Sequence, residues 1–467
     1  FWLKPFWLKP LGLKAAISPQ ARHTVADAFG GWAMGKTTGK PNKGEGTKGN
    51  APSRGCCGIQ CVCSVVVLLV ALGFGAFYWL QNPKNSEMFI RQLVILGGVP
   101  DSIFDTFTVK DDSIWFDMVT KGNLGVAEGY MHGKIEMEPL KFFTTLLNGT
   151  ALGTRRSEGV DVLGTIMTVV TAPTWLLGMV TNQQTKEKST RVTKEHYDAG
   201  NDLYEVMLGR TMSYTCAYWK GAKTLEEAQT NKFDLVRRKL ELAPGMKVAD
   251  LGMGWGTAAA YMHEHGAADV TGVSLSEEQV KWATDNLSKK GLKFIWSDYR
   301  DHCDDPAAAG TYDRVYSIGM MEHVGFKNYA SFFECIKRLL KPDGLALVHT
   351  IGEPDVVSAS DPFLDKYIFP GAVMVPVSSA SRALEKYFIL EDFQNFGFDY
   401  SLTLNEWDKR SKQYFKDKPT AYTKEFQRMW EYYLKMCEAL FDLRINQLYH
   451  FVLSPRPATR RRIDRQL

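Results

Sequence analysis

A chain of 467 residues exceeds one small domain and can bury a substantial core, since most domains hold roughly 100–200 residues. Its formal charge of +4, with 23% charged residues, is too near balance to call for nucleic acid as a partner. The charge is unevenly placed, however. The first 60 residues carry Lys4, Lys9, Lys14, Arg22, Lys36, Lys40, Lys43, Lys48 and Arg54 against Asp27 and Glu45. Such a basic, Gly/Ser/Thr-rich stretch cannot build a core, so residues 1–55 are expected to form a disordered leader. It opens on a tandem repeat, FWLKPFWLKP.

Residues 61–80, CVCSVVVLLVALGFGAFYWL, hold no charge. They match the roughly 20 apolar residues a helix needs to cross a hydrocarbon core. A transmembrane helix is therefore expected over 56–82, with the aromatic residues Phe77, Tyr78 and Trp79 at the far interface. The Lys/Arg bias upstream points the leader to the cytoplasmic side, but that orientation would put the remaining chain across the membrane, so the topology stays open. Cys56, Cys57, Cys61 and Cys63 crowd this span, but no second ligand group accompanies them, so acylation or burial is favoured and no metal is expected. The scatter of Cys216, Cys303, Cys335 and Cys437 suggests free thiols in a reducing compartment.

Residues 83–185 read as a small mixed lobe. It ends in an apolar stretch at 162–180 that is nearly long enough to span, although Pro173 and its Thr content suit a membrane-surface or substrate-facing helix at least as well. The polar segment NQQTKEKSTRVTKE then marks a boundary, and strands alternate with helices beyond it: MKVADLG, DVTGVSL, LKFIWSD, YDRVYSIG and LALVHTIG. That alternation predicts an α/β domain over 186–455 with a mainly parallel sheet, whose ligands sit at the carboxyl ends of the strands. Residues 456–467, with five Arg, form a basic tail able to attract anionic lipid.

The first strand runs into VADLGMGWGT, with glycines at 252, 254 and 256. A dinucleotide fingerprint requires a third glycine where Thr257 stands, and a P-loop requires G-K-[ST]; neither is met. Asp250, two residues before a G-x-G-x-G turn, is instead the pattern of S-adenosylmethionine (SAM) methyltransferases. Glycines let the backbone approach a ligand that bears a sulfonium and an ammonium but no phosphate, and a nearby carboxylate favours those cations.

Six further segments sharpen this reading: HYDAGNDLY (196–204), SYTCAYW (213–219), GMMEHVG (319–325), HTIG (349–352), DKYIFPG (365–371) and NFGFDYSLTL (395–404). In order, they closely resemble the cyclopropane-fatty-acyl-phospholipid synthase family, which includes the mycolic acid cyclopropane synthases. The likeness runs from about Met88 to Pro455 and is strongest after Thr193. It implies a Rossmann-like class I SAM-dependent methyltransferase domain beside the small lobe and the transmembrane helix. It also implies methylene transfer from SAM to the cis double bond of phospholipid acyl chains, with bound bicarbonate as the base.

By that resemblance bicarbonate is held by Cys216, Glu322, His349, Ile351 and Tyr400. SAM is held by Tyr214, Thr215, Asp250, Gly252, Gly254, Gly256, Ser274, Leu275, Gln279, Asp298, Tyr299 and Ser317. Cys437 reads as substrate-channel lining, whereas Trp430, Tyr432, Tyr433 and Phe441 are more in keeping with core. Met253 stands where the family commonly has Cys, and a modest effect on SAM affinity is expected. The expected partners are membrane phospholipids with unsaturated acyl chains, no nucleic acid, and a second copy in a homodimer. The expected placement is single-pass and membrane-anchored, with the catalytic domain facing a SAM-containing compartment. Rival readings are a SAM-dependent lipid C-methyltransferase, acting on a sphingolipid base or a branched or methylene chain, and an inert membrane-anchored lipid-binding protein.

Overall fold

The structure is a computed structural model, and it describes residues 75–156, 201–354 and 361–457. The expected leader, the apolar stretch at 162–180, the linker at 182–195, residues 196–200 of the first motif and the end of the basic tail lie outside the described residues.

Residues 75–80 are helical and lead to α1 (Pro83–Leu96), whose first turn is capped by Asn82 accepting from the Lys84 N–H at 3.0 Å. No helix among the described residues is long and apolar enough to cross a membrane. The transmembrane helix expected over 56–82, and with it the single-pass, membrane-anchored placement, is corrected accordingly. The described part of that span ends at Pro83, which opens a helix with exposed Met88 and Phe89 but also Lys84, Glu87 and Arg91. The uncharged run therefore does not continue as one long apolar helix; residues 56–74 lie outside the described residues.

The lobe continues with β1 (Phe107–Val109), α2 (Ile114–Lys121), α3 (Asn123–Met131), β2 (Ile135–Met137) and α4 (Pro139–Arg156), with β1 and β2 paired antiparallel. After α5 (Asn201–Leu208) comes α6 (Leu225–Lys239). Thr224 caps it in a reciprocal box with Glu227, satisfying two amide donors that would otherwise be orphaned. The alternating region follows: β3 (Lys247–Leu251), α7 (Thr257–Glu264), β4 (Asp269–Ser274), α8 (Glu277–Leu287), β5 (Leu292–Trp296), α9 (Tyr299–Asp304), β6 (Tyr312–Ile318), α10 (Tyr329–Leu339) and β7 (Leu340–Glu353). The chain closes with α11 (Pro362–Tyr367), β8 (Val375–Pro376), α12 (Val377–Leu384), β9 (Phe388–Asn395), α13 (Phe398–Asp417), α14 (Lys424–Asp442) and β10 (Gln447–Pro455).

The sheet order is β5-β4-β3-β6-β7-β10-β9, with β8 beside β7. Strands β3 to β7 are parallel, and β10 runs antiparallel to both β7 and β9. The order reverses between β3 and β6, which opens a crevice at their carboxyl ends, where such sheets take ligands. Strand β10 is buried along its whole length, so its side chains reach the core on both faces.

One apolar cluster joins the lobe to the domain: Ile114, Trp115 and Phe142 share it with Trp407, Trp430 and Tyr432 of α13 and α14. Polar ties reinforce the joint. The Asn123 amide donates to Asp361 at 2.9 and 3.0 Å, and the Tyr130 hydroxyl donates to Glu431 at 2.8 Å. The four scattered cysteines do not all stay free. Cys303 of α9 and Cys335 of α10 approach with Cα atoms 5.4 Å apart and form a disulfide, while Cys216 and Cys437 are free and buried.

Candidate functional site

The crevice holds a cavity of about 300 Å³, walled by the ends of β3, β4, β6 and β7 and roofed by α13 and α14. The turn after β3 is built from three glycines with φ of 84°, 56° and 77° at 252, 254 and 256, a region L side chains rarely adopt. The three differ in role. A Cβ at Gly252 would strike Met320 at 2.9 Å, and one at Gly256 would strike Phe294 at 2.9 Å, so both are packing requirements. At Gly254 a Cβ would meet nothing within 4 Å, because it would project into the open cavity. Gly254 therefore leaves backbone bare to a ligand. Met253 points the other way, against Gly272 of β4, and is buried.

Asp250 closes β3, is buried and has one carboxylate oxygen without a partner. Burial pushes its carboxyl up to about 7, against the pull of the Tyr316 hydroxyl and the Lys232 ammonium. After β4 the Ser274 hydroxyl donates to Gln279 at 3.0 Å and accepts from the Ser276 N–H, which draws Leu275 and Gln279 to the rim. Beyond β5, Asp298 caps α9 by accepting from the Arg300 N–H at 2.8 Å, and Tyr299 lines the cavity. Asp298 itself does not line it, though its second oxygen is buried without a partner.

The motif SYTCAYW docks on α13. Thr403 accepts from the Ala217 N–H at 3.1 Å and from the Trp219 indole at 2.9 Å, and Asp399 accepts from the Trp219 N–H at 2.7 Å. This docking places Tyr214 and Thr215 on the cavity wall, with the Tyr214 hydroxyl 2.9 Å from that of Tyr433.

Opposite the glycine turn sit the groups expected around bicarbonate. Glu322 lies on a short 3-10 turn after β6 and accepts from the Ile351 N–H at 2.6 Å. Its other oxygen is buried and unpartnered, and burial pushes the acid up to about 7. His349 of β7 shares a 2.8 Å hydrogen bond between its Nδ1 and Nε2 of His450 in β10. Burial holds both imidazoles well below their usual range and therefore neutral, helped by the cations Lys232 and Lys239 and, for His450, by His349. His323 is likewise pushed down to about 4 by burial. The Tyr400 hydroxyl is kept protonated, again mainly by burial.

Four of the five expected bicarbonate residues, Glu322, His349, Ile351 and Tyr400, line one cavity with nine expected SAM residues: Tyr214, Thr215, Asp250, Gly252, Gly254, Ser274, Leu275, Gln279 and Tyr299. Cys216 lies behind the wall, with its thiol donating to the Ala217 carbonyl at 3.2 Å. Gly256, Asp298 and Ser317 are also outside the lining; Ser317 ties β6 to β3 by donating to the Leu251 carbonyl at 2.7 Å. Trp430 and Tyr432 are core, whereas Tyr433, Cys437 and Phe441 face the cavity.

Two residues escaped the sequence reading. Lys232 occupies a core position of α6, in step with Leu225, Ala228, Gln229 and Val236; a lysine at such a position is a signal in itself. His450 is one residue in a strand buried on both faces and carried no signal before β10 was placed beside β7.

Residues 184–451 match the family model described as mycolic acid cyclopropane synthetase. The chain is 37% identical over 366 residues to the cyclopropane-fatty-acyl-phospholipid synthase of Escherichia coli, covering 78% of this chain and 90% of that enzyme. It is 33% identical over 277 residues to sphingolipid C9-methyltransferase 2 of Gibberella zeae, covering 56% of this chain and 52% of that one. A crystal structure of a mycolic acid cyclopropane synthase complexed with SAH and CTAB superposes with a TM-score of 0.51 at 26% identity, covering 56% of this chain and 97% of the other. The glycine turn, the strand order and these matches agree, and the chain belongs to the mycolic acid cyclopropane synthetase family of SAM-dependent methyltransferases.

Proposed function

We propose that this protein transfers a methylene unit from SAM to the cis double bond of unsaturated acyl chains in membrane phospholipids, forming cyclopropane fatty acids. One observation carries the reading. A carboxylic acid, Glu322, is buried with one oxygen free beside a neutral His349 and the Tyr400 hydroxyl, in the cavity onto which the bare Gly254 opens. A relative named for this activity matches over most of both chains.

SAM, when bound, supplies an electrophilic methyl group. The chain's part is to hold that methyl close to a weakly nucleophilic alkene, which is a matter of proximity and of excluding water. Tyr214, Phe369, Tyr433 and Phe441 wall the cavity, and their ring faces suit the carbocation that methylation of an alkene creates. Bicarbonate, when bound, supplies the base that removes a proton from the transferred methyl group. The unpartnered oxygen of Glu322 fits such an anion because the acid, pushed up to about 7, keeps a proton to donate. His349 and Tyr400 complete the polar wall. Ile351 acts through its backbone N–H, which is engaged by Glu322, and Cys216 sits behind this wall.

The test is mass spectrometry of lipids from a cyclopropane-free bacterial host that expresses the chain with the SAM methyl isotopically labelled. A mass gain of one methylene, loss of the unsaturation and retention of two of the three labelled hydrogens is the expected outcome. Retention of all three would replace ring closure with simple methylation, the chemistry of the sphingolipid relatives. No label in any lipid would leave the inert reading.

A further inference from the structure

Behind the polar wall of the cavity stands a pair of imidazoles. His349 of β7 and His450 of β10 are directly opposite in the antiparallel register, so their side chains leave the sheet on the same face. Both are buried, their ring centroids lie 4.9 Å apart, and Nδ1 of His349 is 2.8 Å from Nε2 of His450. His349 lines the cavity and His450 does not. With Nδ1 engaged, Nε2 is the ring nitrogen that His349 can offer to a ligand, and His450 stands one residue back from it.

A hydrogen bond between two neutral imidazoles carries one proton, so one ring donates and the other accepts. Burial and the cations Lys232 and Lys239 keep both rings neutral. The two arrangements are not equivalent. If His349 donates from Nδ1, His450 accepts at Nε2 and must carry its own proton on Nδ1. That atom is buried without a hydrogen-bond partner among the described residues, and Phe396 stands at right angles to the ring with centroids 4.8 Å apart. The result is an orphaned buried N–H, a defect that folded proteins rarely keep, whereas under-used acceptors are more common. If His450 donates from Nε2 instead, its Nδ1 is only a bare lone pair, and the one N–H of the pair still to be satisfied is Nε2–H of His349, at the cavity.

We infer that His450 is a positioning residue: by donating to Nδ1 of His349 it locks that ring as the Nε2–H tautomer, which offers a hydrogen-bond donor to a small oxyanion in the cavity. This donor joins the Tyr400 hydroxyl and the unpartnered oxygen of Glu322 on the same cavity wall. With the opposite tautomer a nitrogen lone pair would face the anion and repel it. The inference rests on the proposed use of bicarbonate as the base; it adds which proton of His349 holds that anion and what fixes the proton there. His450 acts only through His349, as the outer partner of a ligating histidine sets its tautomer and orientation.

Long-range proton–nitrogen correlation NMR of the full chain, with its histidines isotopically labelled, reads the tautomer directly. Nine histidines keep the spectrum sparse, and the signals lost in His349→Asn assign His349. The expected pattern on His349 is a protonated, pyrrole-type Nε2 and a bare, pyridine-type Nδ1; the reverse pattern, or two protonated nitrogens, overturns the inference. Turnover titrated with bicarbonate in decarbonated buffer gives the functional readout. In His450→Leu the half-saturating bicarbonate concentration should rise about 10-fold or more while the KM for SAM stays the same. His450→Gln, which keeps a donor, should bring it back to within about 3-fold of the wild type. An unchanged bicarbonate requirement in His450→Leu would make the pair mere packing and overturn the inference. Should His450→Leu fail to fold, the wild-type spectrum still decides. A wild type that shows the Nε2–H tautomer but whose turnover ignores bicarbonate defeats the proposed base and not the role of His450 in placing the proton.

Discussion

Glu322→Gln should make the protein more stable and much less active at the same time. The folded state holds this acid up to about 7 where the ordinary value is 4.5, chiefly through burial. An acid with a raised folded pKa binds its proton more tightly when folded, so stability is lost as pH rises from the unfolded value to the folded one. A shift of that size corresponds to about 3 kcal/mol, absent near pH 4, growing between about 4.5 and 7, and fully present above that. Glutamine is neutral at every pH and keeps an oxygen to accept from the Ile351 N–H, the bond of 2.6 Å seen for the acid. The variant should therefore unfold at higher urea than the wild type at pH 8 and at the same urea at pH 4, with an unchanged m-value. Turnover of labelled SAM should fall about 100-fold or more, as for loss of a positioned proton donor, with S-adenosylhomocysteine affinity preserved. Unchanged turnover would remove Glu322 from the chemistry. Equal stabilities at both pH values would show that the acid is not held protonated by its burial.

Gly254→Val should abolish S-adenosylhomocysteine binding in a chain that still folds, because its Cβ meets only open cavity; the strain of φ 56° costs about 1–2 kcal/mol in thermal or urea denaturation. Full binding by that variant would show that the turn faces something other than SAM. His450→Leu severs the bond to His349 Nδ1 and should lower turnover about 10-fold while leaving S-adenosylhomocysteine affinity in place, and His450→Gln, which keeps a donor, should restore most of it. Equal turnover in wild type and His450→Leu would reduce the pair to packing.

The parallel half of the sheet was legible because each of its strands is a short apolar run followed by a helix-period segment, and the glycine turn announces itself by spacing. The antiparallel end was not. β9 has a mixed exposure pattern, and β10 is a continuous buried run that follows a long helix, so neither gives a period to read. The residues lining the cavity came mostly from motif likeness, and the same likeness could not say that Ser317, Gly256 and Asp298 sit behind the wall. That distinction depends on which atom each side chain touches, such as the Leu251 carbonyl for Ser317. The apolar run at 61–80 shows the limit of composition: length and lack of charge define a candidate span, but among the described residues, which begin at 75, no helix is long and apolar enough to cross a membrane.

The protonation pattern is where the physical logic of the site is clearest, and it is a product of tertiary burial rather than of any motif. Glu322, His349, His450, His323 and Tyr400 all lie where burial opposes charge, so each is driven toward its neutral form around pH 7. On the proposed reaction that neutrality is useful twice. An apolar acyl chain can enter a wall of uncharged hydrogen-bonding groups at far lower cost than a wall of ions. A cation formed on that chain then meets ring faces and oriented dipoles, with the anion proposed as its base held among them.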